Sequence, residues 1–117
     1  MISYETRFGR VEISNEYFSE LIGNAVTSCY GVSSMVANKG IQWLRSKLSK
    51  KEYIDTGIIV RGSINMINVD LFICVTYGLN INAICNSISH KVKYTVEQAT
   101  GIPVNNVTVH VESMKGE

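Results

Sequence analysis

The sequence predicts an α+β domain of two layers, a mixed or antiparallel sheet of four to five strands with two long helices on one face. Two observations carry this. Apolar residues recur at helical spacing over residues 14–30 and 80–100. Between and after those segments, residues 57–76 and 104–112 alternate with a period of two. All 117 residues read as one domain, with no repeat, linker or low-complexity tract. A hydrophobic content of 45% is enough for a core without disulfides or metal.

Gly9–Ile13 opens the pattern as a short strand, with Val11 and Ile13 on one side and Arg10 and Glu12 on the other. Ser14 is placed to cap a helix, and Glu16 lies in its first turn, where the helix dipole favours an acid. Phe18, Leu21, Ile22, Ala25, Val26 and Cys29 form its apolar stripe, and Gly31 is the expected C-terminal glycine. Val32–Ala37 reads as a short strand or an irregular run. Residues 39–51 read as a brief basic helix with Ile41, Leu44 and Leu48 on its apolar side.

A hairpin follows from Gly57. Ile58 and Val60 face one way, and Ile59 and Arg61 the other. After a turn at Ser63–Asn65, Ile67, Val69, Leu71, Ile73 and Val75 form a wholly aliphatic face. Asn80 caps the second long helix, whose predicted stripe is Ile81, Ile84, Cys85, Ile88, Val92, Val96 and Ala99. Gly101 and Pro103 close it. The last strand is Val104–Glu112, with Val107, Val109 and Val111 pointing in and Thr108, His110 and Glu112 pointing away.

Function is less directly legible. The net charge of +1 gives no overall support to nucleic-acid binding. Three cysteines without a CxxC pattern fit neither a disulfide framework nor a zinc knuckle, and point to a reducing, cytoplasmic setting. No run approaches the roughly 20 apolar residues of a membrane span, and the N-terminus does not resemble a signal peptide. Cys85 and His90 suggest a thiol–imidazole pair, but five helical residues set them about 140° apart. Cys85 is therefore expected in the packing stripe and His90 on the solvent side, flanked by Lys91 and Lys93. No catalytic, cofactor or metal-binding motif is present, so the chain is read as a non-enzyme.

Two surfaces remain as candidates. The sheet face opposite the helices carries Ile59, Arg61, Asp70, Phe72, Cys74, Thr108 and His110. It is either an open partner surface or one covered by residues 32–54. The other surface is the basic segment with Lys39, Trp43, Arg45, Lys47, Lys50 and Lys51, suited to RNA or an anionic membrane.

The runs FGRVEISNEYFSELIGNAVTSCYGVSSM and INVDLFICVTYGLNINAICNSISHKVKYTVEQATGIPVNNVTVHVESM resemble the alkaline shock protein/Gls family of bacterial cell-envelope stress proteins. The family's G-x-I-x-I-S start corresponds to Gly9–Ser14, and its G-V helix end to Gly31-Val32. Its V-D-L strand corresponds to Val69–Gly78, and its C-terminal G-hydrophobic-x-V pattern lies within Ala99–Val111. The resemblance covers residues 8–114 and is nearest to small stand-alone members from Firmicutes, some encoded beside a dihydroxyacetone-kinase-like protein. It implies a cytoplasmic, non-enzymatic protein of envelope homeostasis or stress response that acts by protein binding. The expected partners are a second copy of itself, suggested by the apolar residues of the sheet face, and a membrane-associated or dihydroxyacetone-kinase-like protein, suggested by the resemblance, with no cofactor and with nucleic acid not the expected partner.

Overall fold

A computed structural model describes residues 2–35, 52–55, 57–63 and 66–115. The chain begins with a hairpin of β1 (Ile2–Thr6) and β2 (Gly9–Ile13), paired antiparallel from Ile2 opposite Ile13 to Thr6 opposite Gly9. Only β2 is evident from the sequence pattern. β1 follows the same alternation, because Ile2 is buried and Tyr4 half-buried while Ser3 and Glu5 are exposed.

Helix α1 spans Asn15–Thr27, and the Ser14 side chain accepts a hydrogen bond from the Tyr17 N–H (3.2 Å). Its predicted stripe is the buried one, with Phe18, Ile22, Ala25, Val26 and Cys29 inside and Leu21 at the border. The helix ends earlier than the position of Gly31 suggests, with Ser28 as its C-cap. The Ser28 hydroxyl donates to Ala25 O (2.8 Å) and the Cys29 thiol to the same oxygen (3.4 Å). Those local side-chain bonds satisfy a terminal carbonyl that a further turn would otherwise use. Gly31 instead forms the turn into β3 (Val32–Met35), at φ +93°.

The main sheet contains β3, β4 (Glu52–Asp55), β5 (Ile58–Ser63), β6 (Met66–Thr76) and β7 (Val104–Lys115). β6 is central. Along one side, its first half pairs antiparallel with β5 and its second half with β3. Along the other side lies β7, parallel to it from Ile67 opposite Val104 to Thr76 opposite Lys115. β4 continues the sheet beyond β5. The sheet is therefore mixed. Its parallel pair requires a crossover, which helix α2 (Ile81–Thr100) provides. Asn80 caps α2 by accepting from the Ala83 N–H (3.0 Å), and Gly101 closes it in the left-handed region at φ +73°.

Both helices lie on the aliphatic face formed by Ile58, Val60, Ile67, Val69, Leu71, Ile73 and Val75. Across α2 the buried positions are Ile84, Ile88, Val92, Val96 and Thr100. This seam is narrower than the predicted stripe. Ile81 and Ala99 are exposed, and Cys85 is half-buried at the border rather than within the core. Thr100 takes the last core position because its hydroxyl is satisfied there, donating to Val96 O (2.7 Å) and accepting from the Ile102 N–H (3.1 Å). The helices run antiparallel, since Gly31 just past the end of α1 lies beside Ile84 in the first turn of α2, and Tyr17 at the start of α1 shares a pocket lining with Ala99 at the end of α2. Lys91 Nζ of α2 also donates to Ser28 Oγ (2.6 Å). The predicted basic helix at 39–51 lies outside the described residues.

Candidate functional site: the sheet face opposite the helices

Alternation along β5, β6 and β7 sends Ile59, Arg61, Asp70, Phe72, Cys74, Thr108 and His110 to the side away from the helices. Register makes them neighbours, because Ile59 is opposite Asp70, Asp70 opposite Thr108, and Phe72 opposite His110. The polar members converge on Asp70. Arg61 Nη2 is 3.7 Å from Asp70 Oδ2, and His110 Nε2 donates to Asp70 Oδ1 (3.3 Å). The His110 ring lies flat on Phe72, with centroids 4.3 Å apart and planes 8° from parallel. Asp70 thus holds one cation and one imidazole from the two flanking strands, while Phe72 fixes the imidazole plane.

The apolar members are not on an open surface. Ile59 is 1% exposed, Cys74 7% and Phe72 9%. Solvent reaches the Arg61 and His110 side chains, at 43% and 41%, and the exposed Thr108. The face therefore combines a partly exposed polar cluster with buried apolar residues, of which Phe72 lies under the His110 ring. Among the described residues Arg61 Nε is buried without a hydrogen-bond partner, an unsatisfied donor at the root of the cluster. Lys39, Trp43, Arg45, Lys47, Lys50 and Lys51 lie outside the described residues, so the structure does not relate them to this cluster.

The arrangement is suited to recognition. Among the described residues no hydroxyl or thiol is hydrogen-bonded to His110. Nor do any three His, Cys, Asp or Glu side chains among them form a metal cage. Cys85 and His90 are both on α2, with His90 exposed and the Cys85 thiol pushed up from its ordinary range by desolvation. That shift makes Cys85 less nucleophilic at neutral pH. Among the described residues, two pockets lie apart from the sheet face. One, of about 230 Å³, is lined by Tyr30, Leu79, Asn80, Ala83, Ile84 and Ser87. The other, of about 430 Å³, lies between the hairpin, including Tyr4 and Val11, and the α1 start and α2 end at Tyr17 and Ala99. Sequence patterning did not identify either pocket, because each is completed by residues distant in the chain, Tyr30 against residues 79–87 in the first and residues 4–17 against Ala99 and Thr100 in the second.

A model of the alkaline shock protein 23 family, whose described function is cell envelope-related, matches residues 3–116. The chain belongs to this family. Within reach of the family match, YloU of Bacillus subtilis is 32% identical over 114 residues, covering 97% of this chain and 95% of that protein. Spy1614 of Streptococcus pyogenes is 26% identical, covering 97% and 94%. Both relatives are uncharacterized. Among solved structures, a variant of the MamM CTD superposes with TM-score 0.51 at 16% identity, covering 86% of this chain and 96% of that one. At that identity the likeness concerns the fold alone, and it agrees with the α+β architecture of this family member. No helix among the described residues is long and apolar enough to cross a membrane.

Proposed function

We propose that this chain is a non-enzymatic protein-binding scaffold of the cell envelope, acting in the cytoplasm and reaching the membrane through a partner. The observation that carries this reading is the Arg61–Asp70–His110 cluster, held on three adjacent strands with two of its polar heads exposed. Rigid strands present such groups with little ordering cost on binding, and a centred carboxylate orients both flanking donors. Family membership supplies the envelope context. The partners proposed are a second copy of the chain and a membrane-associated or dihydroxyacetone-kinase-like protein.

The test is affinity capture from crosslinked cells with the membrane fraction retained, comparing the wild type with a double Arg61→Ala, His110→Ala variant. The expected result is an envelope-associated or kinase-like protein recovered by the wild type and lost by the variant. Equal recovery by both removes the sheet face from the reading. Recovery of RNA alone, falling steeply with salt, replaces the reading with one centred on the basic segment 39–51.

A further inference from the structure

We propose that the free edge of β7 is an interface with a second copy of this chain, formed by antiparallel pairing of the two β7 strands about a two-fold axis at Val109. The proposal rests on the self-association reading above and names its surface.

β7 is an edge strand whose one strand neighbour among the described residues is β6. The direction of its backbone groups follows from the ladder. The Ile67 N–H donates to Pro103 O (2.9 Å) on the β7 side, and the Phe72 N–H donates to Gly57 O (2.8 Å) on the β5 side. Odd-numbered residues of β6 therefore address β7. The bulge that inserts Asn105 sets Val69 opposite Val107. From there the parallel ladder engages the backbone of Asn106, Thr108 and His110. The N–H and C=O groups of Val107, Val109 and Val111 are left on the free edge.

The same three valines show that the core is unfinished at this edge. Each packs against the core cluster yet remains half-buried. Among the described residues, devices within the strand that usually blunt an edge are missing where they would matter. Residues 104–114 contain no proline and no lysine, and the two bulges, at Asn105 and Glu112, flank residues 106–111 without interrupting them.

A second copy fits because Val107-Thr108-Val109-His110-Val111 is palindromic on its core face. Centred on Val109, antiparallel pairing sets Val109 against Val109 of the second copy and Val107 against Val111 of the second copy. All three pairs are Val–Val, and all use the backbone groups already turned outward. Sliding the register by two residues sets a valine against Asn105 or Ser113, which makes the central register the favoured one. On the other face Thr108 meets His110 and Asn106 meets Glu112, so no like charges oppose. Such a contact is self-complementary and closes at two copies.

In the paired strands Thr108 and His110 of the second copy form a non-hydrogen-bonded pair, with Cα atoms about 4.5 Å apart, within disulfide range. The test first measures wild-type mass by sedimentation across concentration. Thr108→Cys and His110→Cys chains, each also carrying Cys85→Ser, are then oxidised separately and as a mixture. The expected result is a wild-type dimer and about tenfold or more disulfide-linked dimer in the mixture than in either variant alone, since pairing raises the effective thiol concentration. A folded Val109→Pro variant, which deletes an outward N–H and leaves the β6 ladder intact, is expected to be monomeric. A wild-type dimer without excess linkage in the mixture, or one that persists in folded Val109→Pro, overturns the β7 interface while self-association stands. A wild type that stays monomeric overturns both.

Discussion

Gly31 combines two constraints at one residue. Its φ of +93° lies where L side chains are strained, and an added Cβ would stand 2.6 Å from Ile84 Cδ1. Gly31→Ala is therefore expected to destabilise by about 2–4 kcal/mol, from backbone strain together with overpacking, read as a lowered urea midpoint. Phe72 also changes meaning once its burial is known. With 9% exposure and a stacked His110 above it, Phe72→Glu buries an unpaired charge and is expected to unfold the domain. Circular dichroism checks this, and a folded variant would contradict it. At Cys85, burial raises the thiol, so its alkylation at pH 7 should be slower in the native chain than in urea and should accelerate as pH rises. The linkage has the same sign. Below the unfolded value both states hold the proton and the contribution to stability is complete. Above it the unfolded chain ionises first, and stability falls. Mass spectrometry of alkylated peptides against pH tests the rate. Because Cys85 is only half-buried, Cys85→Ser should cost under about 1 kcal/mol, less than its predicted place in the stripe implies.

The two helices were legible because their start signals have a local mechanism. Ser14 and Asn80 are N-caps in the structure as the sequence predicts, each accepting from the N–H three residues on. Ser14→Ala and Asn80→Ala should each lower stability by about 1 kcal/mol in chemical denaturation. The end of α1 is also met by local bonds, the Ser28 and Cys29 side chains donating to Ala25 O, but it carries no glycine signal from which to read it. Two strands escaped sequence reading for separate reasons. β1 is five residues long with one buried side chain, Ile2, whose packing partner Gly62 lies 60 residues away. β4 is four residues at the sheet margin and acquires its identity by pairing with β5. The predicted widths of the apolar stripes also differ in value. The α1 stripe was correct, whereas α2 is buried along one seam because it packs against α1 and β7.

At the scale of the whole molecule, the sheet has two dissimilar faces. The aliphatic face is the core, so Ile88→Ala should cost about 2–5 kcal/mol and weaken the entire domain. The opposite face has Asp70 at its centre. Arg61–Asp70 is a partly exposed pair at 3.7 Å and contributes at most about 1 kcal/mol. Replacing Arg61 and His110 by alanine should accordingly leave the melting temperature little changed, so a loss of partner capture would report on recognition and not on folding.

The α+β class, the helix caps and the division of β5, β6 and β7 into core and non-core sides follow from the order of the residues. These depend on the chemistry of neighbouring residues and on periods of two and 3.6, which are local properties. The convergence of Arg61 and His110 on Asp70, the stacking of His110 on Phe72 and the burial of Ile59 were decided by tertiary structure alone. Each depends on strand register and on which chains of atoms cover a face, and alternation along one strand carries no information about either.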